Sequence, residues 1–116
     1  MSELSEIKAI VRKDCVHRVV EALRDAGVTH FYVCHVHVLG AGVDPKDFRV
    51  SLEEGEAYAE MSKIEFLCLQ DRVEELLGVM RAAAATGHVG DGIAVVSEVV
   101  DVMRIWTGDR GSLAIV

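Results

Sequence analysis

No stretch of 18 or more apolar residues runs through this sequence, so it offers no membrane-spanning helix. Its first residues, Met1-Ser2-Glu3-Leu4-Ser5-Glu6, are acidic where an export signal would be basic and then apolar. The expectation is a cytoplasmic protein with no direct insertion into a membrane. Cysteine is scarce and unpaired. Cys15, Cys34 and Cys68 are odd in number, form no C-x-x-C and fall in apolar runs, which points to reduced, buried thiols and away from disulfides. Positive charge is short as well: 12 Lys and Arg stand against 19 Asp and Glu, a formal net charge of −7, so DNA and RNA have no basic footprint to bind. A catalytic constellation is also lacking. No serine has a His and an Asp placed to serve it, the carboxylates show no pairing pattern, and Val11-Arg12-Lys13-Asp14 lacks the glycines that an acylphosphatase-like enzyme would wrap around phosphate. The reading is a binding module rather than an enzyme.

What is present is a repeat. With 116 residues and 51% hydrophobic content, the chain can bury a core as one domain spanning residues 1–116. Residues 7–11 read as a strand, Asp14 is the candidate N-cap of a helix carrying Val16, Val19, Val20 and Leu23 at helical spacing, and Gly27 ends it. Residues 31–39 and 63–68 read as strands. Asp71 with Glu74 resembles a capping box, and Val73, Leu76, Leu77 and Met80 repeat the helical spacing up to Gly87. The second helix pattern is the first displaced by 57 residues (73 − 16), and Ile7 displaced likewise lands on Ile64. Two strand-helix-strand halves with right-handed crossovers give an α+β, ferredoxin-like βαββαβ sandwich with both helices on one sheet face. The other face, read as apolar, would need cover from further subunits.

Between the second and third strands, residues 41–62 replace what could be a short hairpin. Six acidic residues, Pro45 and several glycines suit a flexible segment with little core of its own. Such a loop is either functional or a disordered insertion with no partner.

The stretch Thr86-Gly87-His88-Val89-Gly90-Asp91-Gly92 leaves a helix and enters a strand. Its glycines let backbone N–H groups converge into an anion nest, though a helix C-cap at Gly87 followed by an ordinary turn is the plainer alternative. Neither a Walker A loop nor a dinucleotide-binding fingerprint fits its order. One strand later comes Arg104-Ile105-Trp106-Thr107-Gly108-Asp109-Arg110-Gly111.

Together these two motifs resemble the nucleotide-binding loops of the PII signalling proteins. The resemblance implies a homotrimer with adenine nucleotide in clefts between subunits. It implies that residues 86–92 bind phosphate through backbone amides and that Arg104 is the first arginine of a phosphate clamp. Glu65 would lie beside the adenine, with Ile10, Val38 and Leu67 as its apolar walls. Gly40 would start an effector loop, residues 41–62, that docks onto a regulated partner such as a membrane transporter or metabolic enzyme. The departures from the family pattern matter equally. Ile93 stands in place of a lysine, Trp106 in place of the second clamp arginine, Gly42 in place of a loop glutamine and Met61 in place of a lysine that pairs with 2-oxoglutarate. The modifiable loop tyrosine aligns with Glu54 and an alternative serine with Leu52, while Tyr58 is out of register. A PII-like paralogue is implied, one that does not take 2-oxoglutarate in the family manner. Lost outer-phosphate cations imply ADP or AMP, with a cyclic adenine nucleotide as a further candidate, in preference to ATP. Bicarbonate is a candidate small anion.

The alternative class is a trimeric metal-binding or metal-tolerance protein of related fold. His35 and His37 share one strand face and Cys34 takes the other, so alternation splits the cluster and no metal is expected. Histidines bonded at a subunit interface are the reading preferred here.

Overall fold

The computed structural model describes residues 3–39, 48–50 and 57–116. In chain order the elements are β1 (Leu4–Arg12), α1 (Val16–Asp25), β2 (Tyr32–Val38), β3 (Phe48–Val50), β4 (Ala57–Leu69), α2 (Val73–Ala84) and β5 (Gly92–Val99). The duplication extends to detail. β1 and β4 each end in a 3-10 turn, Lys13–Cys15 and Gln70–Arg72, that runs directly into the following helix at the same 57-residue offset (70 − 13). Neither turn carries a side-chain cap, so the caps expected from Asp14 and from Asp71 with Glu74 do not form. Tertiary anchoring replaces them at the second helix: Arg72 donates to Glu75 at 3.0 Å and to the carbonyl of Ala26 at 2.5 Å, tying the start of α2 to the end of α1.

The sheet is antiparallel, in the order β2-β4-β1-β5, with β3 beside β4. Alternate residues of the two central strands face the helices: Ile7, Ala9 and Val11 from β1, and Ile64, Phe66 and Cys68 from β4. They meet Val19 and Leu23 of α1 and Val73, Leu76 and Met80 of α2 in one core. Burying each large side chain of this kind stabilises the fold by about 1.5–3 kcal/mol. The end of α1 follows the sequence reading. Gly27, at φ 99°, donates to the carbonyl of Arg24 and Val28 to that of Leu23, the paired bonds of a Schellman motif.

Other expectations change as well. Residues 57–62, assigned above to the connector, belong to β4, where Ala59 and Met61 are buried and pull the stretch into the sheet. Helix α2 stops at Ala84 rather than at Gly87. The sheet face away from the helices is amphipathic rather than apolar, because Glu6, Lys8, Lys63 and Glu65 lie on it in register among Ile10, Leu67 and Val95. Cys15 and Cys68 are buried as expected, whereas Cys34, on that open face, is exposed in the single chain.

Candidate nucleotide site

The end of α2 explains the glycine loop. Ala85 makes the last helical bond, to the carbonyl of Arg81 at 2.9 Å. The next amide, Thr86 N–H, donates instead to Oδ2 of Asp91 at 2.7 Å, and Gly87 N–H donates to the same oxygen at 3.2 Å. Oδ1 accepts the Thr86 hydroxyl at 2.5 Å and Nε of Arg12 at 3.1 Å. A second Arg12 nitrogen donates to the carbonyl of Val89 at 2.9 Å. Asp91 is therefore the anion that folds the loop. The Thr86 hydroxyl first, then the Thr86 amide, with Arg12 and the Gly87 amide, hold its carboxyl far below the ordinary carboxylate range. Gly87, Gly90 and Gly92 all have positive φ, and because α2 ends at Ala84 with Ala85 as its cap, Gly87 stands in the turn that follows and not at the helix end.

Gly92 has a second constraint. A Cβ there would lie 1.8 Å from the carbonyl oxygen of Ile10, so only glycine lets β5 approach β1 at this point. Beside the loop, a groove of about 530 Å³ has the buried Val11 and Met80 at its base and the exposed His88 and Ile93 at its rim.

The second loop is a pinned hairpin at the far end of β5. Arg104 N–H donates to the carbonyl of Asp109 at 2.9 Å, and Gly108 N–H to that of Arg104 at 2.7 Å. Thr107 donates to the Asp109 carboxylate at 2.9 Å. Arg110 pairs with Asp101 through Nε at 2.7 Å and through a second nitrogen, which lowers the pKa of the carboxyl and raises that of the guanidinium. At the tip, Ile105 is 90% and Trp106 89% exposed. Arg104 donates to the carbonyl of Val116 at 2.9 Å and lines a cleft of about 550 Å³ with Thr29, Tyr32 and Leu67.

The candidate residues thus fall into two groups. Ile10 and Val38 lie toward the glycine-loop end of the sheet. Leu67 lies with Arg104 at the other end, and Glu65 stands between, engaged by Lys63 at 3.0 Å. β5 spans 8 residues between the loops, roughly 25 Å. One chain does not bring them together. Gly40, Gly42, Leu52 and Glu54 lie outside the described residues. His35 and His37 do share a strand face, with Cys34 opposite, and the His37 ring stacks on Tyr58 at 4.0 Å. Among the described residues no group of three or more His, Cys, Asp or Glu side chains is placed to hold a metal ion, and no helix is long and apolar enough to cross a membrane.

The family model "Nitrogen regulatory protein P-II" matches residues 4–109. The chain belongs to the nitrogen regulatory protein P-II family. It is similar to the nitrogen regulatory protein P-II of Mesorhizobium japonicum, with 31% identity over 97% of this chain and 100% of the relative. A GlnB-like protein of the nitrogen-fixation region of Methanothermococcus thermolithotrophicus is 33% identical over 90% of this chain and 96% of its own. Among solved structures, Arabidopsis thaliana PII bound to citrate superposes with a TM-score of 0.79 at 29% identity, covering 97% of this chain and 92% of that one. GlnK of B. subtilis superposes at 0.78 with 23% identity over 98% of each chain, a likeness of fold alone. The PII chain is thus a regulatory protein by family. Its least legible site residue is Arg12, which looks in sequence like an ordinary cation at a strand end. Only the pairing of Val11 with Gly92 brings it to the glycine loop.

Proposed function

We propose that this PII chain is a single-domain cytoplasmic regulator that binds an adenine nucleotide in clefts between the subunits of a homotrimer. Through residues 41–62 it signals to a partner transporter or metabolic enzyme. The observation that carries the reading is the placement of two internally braced loops at opposite ends of β5. Each is too ordered to be a passive turn, and only copies of the chain can bring one to the other. The loop then meets phosphate with its amides beyond His88, since Asp91 takes those of Thr86 and Gly87 and the Thr86 hydroxyl takes that of His88, and Arg104 of a neighbouring copy faces it. Asp91 acts inside the loop, holding its shape, and touches no ligand.

ADP or AMP is preferred to ATP. Ile93 and Trp106 supply no charge where outer phosphates would lie, and a desolvated γ-phosphate without a partner is penalised. The same reasoning keeps a cyclic adenine nucleotide or a small anion such as bicarbonate within reach and disfavours 2-oxoglutarate, since the buried Met61 offers no ammonium. Calorimetry with AMP, ADP and ATP on protein sized by light scattering tests this, with Zn²⁺ and Cu²⁺ titrated in parallel. ADP or AMP should bind at least about tenfold more tightly than ATP. Tenfold tighter ATP would overturn the preference, and unchanged affinities in Arg104→Ala would overturn the site.

A further inference from the structure

The guanidinium that would clamp phosphate is already engaged. Arg104 donates to the main-chain carbonyl of Val116 at 2.9 Å, and residues 112–116 line the same cleft of about 550 Å³ as Arg104, Thr29 and Leu67. The 3-10 turn Gly111–Ile115 carries them there and lies against β4. Up to Gly111 the chain is pinned: Arg110 pairs with Asp101, and Gly111 N–H donates to the carbonyl of Val102 at 3.0 Å. Beyond Gly111 the hold is lighter. Ala114 is buried and Ile115 half-buried, whereas Leu113 and Val116 are exposed. Ala114 also stands outside the cluster of core residues, and its one methyl keeps far less surface from water than a buried leucine would. Residues 112–116 can therefore leave their seat without disturbing the core.

We propose that residues 112–116 are an autoinhibitory strap: the Val116 carbonyl occupies Arg104 until a nucleotide phosphate takes its place. The inference rests on the nucleotide-binding reading above and adds a regulation of that same site. The carbonyl is a neutral acceptor and the phosphate an anion, so the guanidinium makes the stronger, charge-assisted bond with phosphate. Arg104 is satisfied in both states, which lets the two exchange. Before it gains its own contact, however, the ligand must undo the strap's bond and the burial of Ala114. The apparent affinity is then lower than the intrinsic one by the fraction of copies whose strap is lifted. While the strap is seated, Arg104 is turned to its own chain. Lifting it frees the guanidinium for the glycine loop of a neighbouring copy.

Calorimetry with AMP and ADP compares the wild-type protein with one lacking residues 112–116 and with Ala114→Glu, which puts a charge into the strap's seat. Both altered proteins should bind roughly three- to tenfold more tightly. In an Arg104→Ala background the same two changes should give no gain, since the strap then has no guanidinium to withhold. Movement is read separately by Ala114→Cys in a Cys34→Ser background, where Cys15 and Cys68 are buried and slow to react. Saturating nucleotide should speed the reaction of the introduced thiol several-fold. Unchanged or weaker binding by both altered proteins overturns the strap as a competitor, while binding by the wild type keeps the nucleotide site standing. An equal gain in the Arg104→Ala background overturns the contest for the guanidinium. An introduced thiol that nucleotide slows or leaves alone overturns the displacement. Binding of neither nucleotide by any of these proteins overturns the nucleotide reading itself.

Discussion

Replacing Gly92 by alanine would set a Cβ 1.8 Å from the carbonyl oxygen of Ile10, 2.8 Å from its carbonyl carbon and 3.3 Å from Cα of Val11. All three are backbone atoms of the central strand β1, so no side chain can rotate away to make room. The residue also has φ 108°, a conformation that L residues rarely adopt. Relief requires β5 to peel back at its start, where Gly92 pairs with Val11 and Ile93 with Ile10. Backbone strain of about 1–3 kcal/mol plus two lost ladder bonds at about 0.5–1.5 kcal/mol each gives a loss of about 2–6 kcal/mol. The same movement would carry Asp91 away from Arg12 and open the glycine loop. Urea unfolding at fixed protomer concentration should show a midpoint lowered by roughly 1–3 M, for a slope near 2 kcal/mol/M. Gly78→Ala is the internal control. It lies within α2 with nothing within 4 Å of the added Cβ, so it should stabilise by about 0.4–1 kcal/mol. A Gly92→Ala protein as stable as wild type, with its nucleotide affinity intact, would refute the account of how β5 and the loop are joined.

Asp91 and Asp101 both have depressed pKa values, so what their ionised forms contribute is present above the ordinary carboxylate value and lost only as pH falls through the lower folded value. The amide resonances of Thr86 and Gly87 should therefore stay flat from pH 7 to about 4 and move only below that; titration centred near pH 4 would contradict the Asp91 network. Cys15 and Cys68, 2% and 5% exposed, should react with a thiol reagent only as fast as the protein unfolds. Burial also raises the pKa of the Cys68 thiol, which slows it further. At most one thiol per chain, that of Cys34, should react quickly, and two fast thiols would contradict the packing.

The fold and its repeat were legible in the residues alone. The 57-residue displacement carried Ile7 onto Ile64, Val19 onto Leu76 and Leu23 onto Met80, and all six are buried, because periodicity of apolar residues is what a core reads. The sequence also marked both loops, since glycines with positive φ are written directly in the residue type. Other features were decided only in three dimensions. The helix ends depended on which partner an amide found: Thr86 N–H chose a carboxylate five residues ahead over the next helical carbonyl. The alternation of Tyr58, Ala59, Glu60, Met61 and Ser62 looked like loop until β4 extended through it. The role of Arg12 required a partner 79 positions away, and the amphipathic character of the open face required the register that lines up Lys8 with Glu65. Local patterns fix what each segment prefers, while pairing across the sheet fixes which charges meet, and no local pattern encodes that distance.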